Sequence, residues 1–121
     1  MTWRNRSPGN ETGKYILDGH EPVECPDLYK WGEWMETADR HVRDTFRDDV
    51  RVSTVFLGLD HNHYDDGPPI LFETMVFVDG DGDRQERYRT WAEAEEGHEN
   101  IVAEIFKATP ILALPTKAET E

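Results

Sequence analysis

Residues 50 to 78 read VRVSTVFLGLDHNHYDDGPPILFETMVFV. Two runs of β-branched and aromatic residues flank a loop of Asp, His, Asn, Gly and Pro, which is the pattern of a long hairpin. In the first run the apolar set passes from Val50 and Val52 to Val55, Leu57 and Leu59. Either the register slips near Ser53-Thr54 or both faces are covered, and each case makes Val50 to Leu59 an interior strand. Pro68-Pro69 open the second strand, Ile70 to Val78, where their missing N–H groups do least harm. Asp79-Gly80-Asp81-Gly82-Asp83 supplies the positive φ of a tight turn, and Arg84 to Arg89 returns as a polar edge strand.

The segments around this meander read as follows. Lys14 to Asp18 (KYILD) is a short strand stopped by Gly19. Pro26 suits a first helical turn, and Leu28, Trp31, Met35, Ala38, Val42 and Phe46 follow at spacings of three and four, which predicts an amphipathic helix over 27 to 47 with Trp31 in the core. Thr90 and Glu93 form a capping box for a last helix over 91 to 106, with Trp91, Ala94, His98, Ile101 and Ile105 inward. Gly97 allows close approach to that helix. The expected fold is α+β, an antiparallel β-meander with two helices packed on one face in the order β-α-β-β-β-α. From Asp27 onward that order is also the order of double-stranded RNA-binding domains, but function does not travel with fold. Residues 1 to 13 are expected as a disordered lead, 14 to 109 as a single α+β domain, and 110 to 121 as a short apolar arm and frayed tail.

Charge narrows the functions open to such a domain. The 121 residues suit one core, and 26 acidic against 13 basic side chains leave a net charge of −13. Such a surface repels nucleic-acid phosphate and anionic membrane and attracts basic partners, so direct nucleic-acid binding is not expected. The acid gathers in the loops and on helix 91 to 106, where Glu95, Glu96, Glu99 and Glu104, with Asp65 and Asp66, form the expected binding face. MTWRNRSPGNETGK has no apolar core of a signal peptide, and no run nears a membrane span, so a cytoplasmic, soluble protein is expected. One cysteine, Cys25, excludes an internal disulfide and a Cys-rich zinc site.

Few residues are arranged for chemistry. Asp60, His61 and His63, with Asp65 and Asp66 behind them, are of the types that ligate a first-row divalent ion, and Glu73 or Asp18 can complete the set. The competing reading is a polar hairpin loop in which Asp60 makes an Asx-type turn. Glu73, among Phe72, Met75 and Phe77, is either a buried general base or paired across the sheet with Arg87 or Arg89. Cys25 before a helix N-terminus, five residues from His20, lacks the surroundings of a nucleophile and reads as a small buried hydrophobe. The run Asp79 to Asp83 fails the calcium-loop pattern, with Arg84 and Thr90 where Gly and Glu belong. His98 reads as a packed core residue. Neither a metal nor a cofactor is expected.

KYILDGHEPVEC, VRVSTVFLGLDHNH, PPILFETMVF and RYRTWAEAEEGHENIV together resemble a group of small proteins of tailed bacteriophages and prophages that carry no assigned activity. The likeness covers roughly residues 14 to 103. Asp60, His61 and Glu73 have matching residues in that group, whereas His63 often does not. The resemblance implies a phage source, with the host cytoplasm as location. The expected function is that of a small acidic phage accessory protein, a non-enzymatic binder or inhibitor of a host or phage protein with a basic surface, including mimicry of nucleic-acid charge against host defence. The alternative is a metal-dependent enzyme using Asp60, His61 and Glu73.

Overall fold

The computed structural model describes residues 12 to 62 and 67 to 108. Among the described residues eight elements follow: β1 (Tyr15–Asp18), β2 (Glu21–Glu24), α1 (Leu28–Thr37), β3 (His41–Arg47), β4 (Val50–Phe56), β5 (Phe72–Val78), β6 (Asp81–Tyr88) and α2 (Trp91–Ala108). The fold is α+β, with a two-stranded sheet β1-β2 and an antiparallel four-stranded meander β3-β4-β5-β6. The expected lead over 1 to 13 falls almost wholly, and the arm and tail over 110 to 121 wholly, outside the described residues.

The helix expected over 27 to 47 is the principal correction. It begins as read, with Asp27 accepting from the backbone N–H groups of Tyr29 and Lys30, but it ends at Thr37. Residues 41 to 47 are instead the edge strand β3, so the observed order is β-β-α-β-β-β-β-α. The physical reason lies at Asp39, whose carboxylate accepts from the backbone N–H of His41 and turns the chain. Beyond that turn Val42 and Thr45 are β-branched, and β4 offers a full ladder of backbone partners. Phe46, assigned to the inward helical stripe, is 67% exposed on the sheet. Trp31 is also corrected: it is only partly buried, and its indole N–H donates to the Gly58 carbonyl at 3.0 Å. Trp34 is the α1 residue that packs on the core, edge-on to Phe56. β2 is a second strand not anticipated, since Pro22 and two glutamates hide a strand signal.

α2 lies against all four strands of the meander, whereas α1 lies against β1. Under α2 the inner sheet face presents Val52, Thr54 and Phe56 from β4 and Phe72, Thr74 and Val76 from β5, each 0 or 1% exposed. Phe56 and Phe72 meet Ala94 at one end of the helix, and Val52 and Val76 meet Ile101 at the other. Between these clusters sits His98, buried, with Nδ1 2.7 Å from Thr54 Oγ1 and Nε2 2.8 Å from Thr45 Oγ1. Burial lowers its pKa below the ordinary 6.5, because the charged form would lose water. A polar row through an apolar core is tolerated because each of its members is bonded.

β4 is interior as expected, and its pairing with β5 is unbroken from Val50↔Val78 to Phe56↔Phe72. The irregularity read near Ser53-Thr54 lies instead in β3, between His41 and Arg43. Of the consecutively buried Val52, Ser53 and Thr54, Val52 and Thr54 lie under α2, and Ser53 sits on the outer face between Asp44 and Met75 of the neighbouring strands. Asp79 (φ 54°) and Gly80 (φ 83°) make the β5–β6 turn, the geometry that matches strand twist. The capping box forms: Glu93 N–H donates to Thr90 Oγ1 at 3.1 Å, and Thr90 N–H donates to the Glu93 carboxylate at 3.3 Å. No helix among the described residues is long and apolar enough to cross a membrane.

Candidate functional site

The carboxylates considered for catalysis are engaged in holding the fold. Glu73 points to the outer sheet face opposite Arg87. Its Oε2 accepts from Arg87 Nε at 3.1 Å and also from the Gln85 amide. This is the cross-strand pair weighed against a buried general base. Asp60 Oδ1 accepts from Asn62 N–H at 2.8 Å and from Ile70 N–H at 3.0 Å, which closes the base of the 60 to 70 loop. Its Oδ2 is buried with no partner among the described residues. His61 donates Nδ1–H to the Leu59 carbonyl at 2.8 Å, which fixes its tautomer. His63, Asp65 and Asp66 lie outside the described residues. Among the described residues no three His, Cys, Asp or Glu side chains are grouped to hold a metal ion. Cys25 is buried.

The carboxylates of α2 have cationic neighbours on the strands below. Arg43 of β3 reaches Glu99 and lies 3.9 Å from Glu95, and Arg84 of β6 donates to Glu104 at 2.7 Å. These pairs clamp the helix to both edges of the sheet, with Glu96 exposed between them. No local pattern links Arg43 to α2, because the helical spacing over 27 to 47 puts Arg43 in a helix.

The other acid gathers elsewhere. The β3–β4 turn carries Asp48 and Asp49, the β5–β6 turn carries Asp79 and Asp81 with Asp83 behind them, and the two turns are joined by Asp79 N–H donating to the Asp49 carbonyl at 2.9 Å. Beside them, on the outer face, Phe46, Arg51 and Phe77 stand in register across three strands. The Arg51 guanidinium lies 5.1 Å from the Phe46 ring centre and 6.0 Å from that of Phe77. It also makes two bonds to Asp44, at 3.0 and 2.9 Å, and holds that carboxyl below its usual pKa. Arg51 is therefore neutralised in place, while Phe46 stays open to solvent. A groove of about 440 Å3 runs between Phe46, Phe77 and the backbone of both turns. An exposed aromatic with Asp48, Asp49 and Asp79 beside it joins apolar area to negative charge, the chemistry that complements a cationic, partly apolar surface. The signals for it were in the sequence, in the Asp-rich turns, but their meeting at one sheet end depends on β3 being a strand.

Against known proteins, the chain matches no family model, no curated protein and no solved structure.

Proposed function

We propose that this protein is a non-enzymatic binding protein for a partner with a basic surface. The observation that carries the reading is the acidic end of the meander: Asp48, Asp49 and Asp79 line the groove beside a 67% exposed Phe46, Asp81 and Asp83 extend the acid across to β6, and Arg51 is already paired to Asp44. Charge supplies attraction and orientation, and the aromatic supplies desolvated contact. The engagement of Asp60 and Glu73 in structural hydrogen bonds supports a non-catalytic role. In a phage setting, which the sequence resemblance implies, the partner is a host or phage protein, and a nucleic-acid-binding groove is the kind of basic surface such an end would mimic charge for.

The test is retention of a defined basic protein, such as a histone, on immobilised wild type and on Phe46→Ser/Asp81→Lys at low and high salt. Wild type retains it at low salt and releases it at high salt, while the variant retains little at either. Equal retention by both proteins, or none by wild type at low salt, defeats the reading.

A further inference from the structure

Helix α1 turns its more apolar side to solvent. Leu28, Trp31, Gly32 and Met35 stand at i, i+3, i+4 and i+7 and so share one side, with Tyr29 and Glu36 beside them. Trp34 points the opposite way, onto Phe56. Leu28 and Tyr29 are 56% and 85% exposed, and no residue of α1 is buried. A shallow groove of about 640 Å3 follows this side of the helix. A contiguous run of exposed apolar side chains marks an interaction surface.

Three observations bear on what covers it. The first is shape. Residues spaced i, i+3, i+4 and i+7 form the four-sided hole that receives one side chain of a facing helix, and Gly32 leaves that hole open in its middle. The second is the glycine itself. Glycine weakens a helix interior relative to alanine, and at Gly97 of α2 the Tyr88 ring fills the place of the missing side chain. At Gly32 a Cβ would meet no described atom within 4 Å beyond its chain neighbours and the helix backbone. The space therefore serves no packing among the described residues. The third is charge. Glu33 and Glu36 border the groove, both exposed, and neither pairs with a cation among the described residues. Lys30, the one cation of α1, stands on the Trp34 side of the helix.

We propose that this face of α1 docks an amphipathic helix of a partner protein whose apolar stripe is flanked by Lys or Arg. One leucine-sized side chain of the partner enters the hole over Gly32, between Leu28 and Met35, and the flanking cations meet Glu33 and Glu36. A second copy of this chain is disfavoured, because it brings the same carboxylates and a net charge of −13 to the contact. The face shares no residue with the groove at the aspartate-rich sheet end and does not depend on that end being a binding site.

The probes are two synthetic amphipathic helices with one leucine stripe, flanked by Lys in the first and by Glu in the second, titrated into the full chain and followed by heteronuclear NMR. The expected result is a saturable shift of the Leu28 to Glu36 amides with the lysine peptide. Affinity should be about tenfold weaker for the glutamate peptide, and about tenfold weaker for the lysine peptide on Glu36→Lys, an exposed position. Gly32→Leu fills the hole from within. It should keep or raise the thermal midpoint, since the space is open, while weakening the lysine peptide about tenfold. No saturable shift at millimolar peptide overturns the proposal, as does equal affinity for the two peptides or unchanged affinity on either variant. A lower midpoint in Gly32→Leu overturns it as well, because the space would then belong to the fold. Three further results replace the proposed occupant. Shifts of these amides that grow with protein concentration alone make the face an interface between copies. The same shifts on Trp3→Ala without peptide assign it to the chain's own residues 1 to 11. A response to phosphatidylcholine vesicles with none to either peptide makes it a lipid surface.

Discussion

His98 shows at the residue scale how one side chain ties stability to pH. Buried and bonded to Thr45 and Thr54, it resists protonation. The charged groups bearing on it are Glu99, which raises its pKa, Arg43, which lowers it, and Asp44, which raises it, all outweighed by loss of water. The unfolded chain takes up this proton near pH 6.5, and the folded chain only at lower pH. Stability from this group is therefore complete above about pH 6.5 and is lost as pH falls below it. Denaturant midpoints between pH 7.5 and 5 should decline in wild type, and the decline should be shallower in His98→Gln; an equal slope in both places the titration elsewhere. Glu73 is the second case. It faces Arg87 across the β5–β6 ladder, its side chain 14% exposed. Glu73→Gln should lower stability at pH 7 by roughly 0.2 to 1 kcal/mol, the range of cross-strand opposite-charge pairs. A variant more stable than wild type at pH 7 would identify an acid strained by burial and revive the catalytic reading.

Among the elements, α2, the β4–β5 hairpin and the β5–β6 turn were legible in the sequence because their local signals agree with their tertiary surroundings. The capping box, the inward stripe and the Asp-Gly turn each point to the structure that forms. β3 was not legible. Leu28, Trp31, Met35, Ala38, Val42 and Phe46 satisfy a helical period, but Phe46 is exposed, so that spacing did not mark a buried stripe. What decides for a strand is the backbone ladder offered by β4, a long-range partner that a local pattern cannot register. The candidate site suffered the same loss: Asp48, Asp49, Asp79 and Phe46 come together only through that pairing. Gly97 gives an element-scale test in the opposite direction. A methyl at its Cα would stand 2.2 to 2.4 Å from the ring and hydroxyl of Tyr88, so the ring packs where a side chain would be. Helix propensity alone favours Gly97→Ala by about 1 kcal/mol, but overpacking costs about 1 to 3 kcal/mol. The variant should melt lower than wild type, and a higher thermal midpoint would show that Tyr88 moves aside without cost.

For the molecule as a whole, the acid behind the net charge of −13 includes two groups with different consequences. On α2 the carboxylates Glu95, Glu99 and Glu104 face Arg43 and Arg84, and these pairs hold the helix to the sheet. Salt screens them, but exposed pairs contribute little each, so helix docking should survive moderate salt. At the sheet end Asp48, Asp49, Asp79, Asp81 and Asp83 share two adjoining turns, and their mutual repulsion opposes folding. Raising salt should therefore stabilise the protein, because relief at that end outweighs weakening of the α2 pairs. Asp81→Lys separates the two roles of this acid most cleanly. Asp81 is exposed at the start of β6, and the positive φ of this turn falls on Asp79 and Gly80, so the change strains no backbone. If the cluster is there to bind, Asp81→Lys should raise the thermal midpoint at low salt while weakening retention of a basic protein, the exchange of stability for function expected at a binding site. Thermal melts and binding measured on the same preparation decide it. A lower midpoint would make the aspartates structural, and a higher midpoint with unchanged binding would move the partner's contact surface away from this end of the sheet.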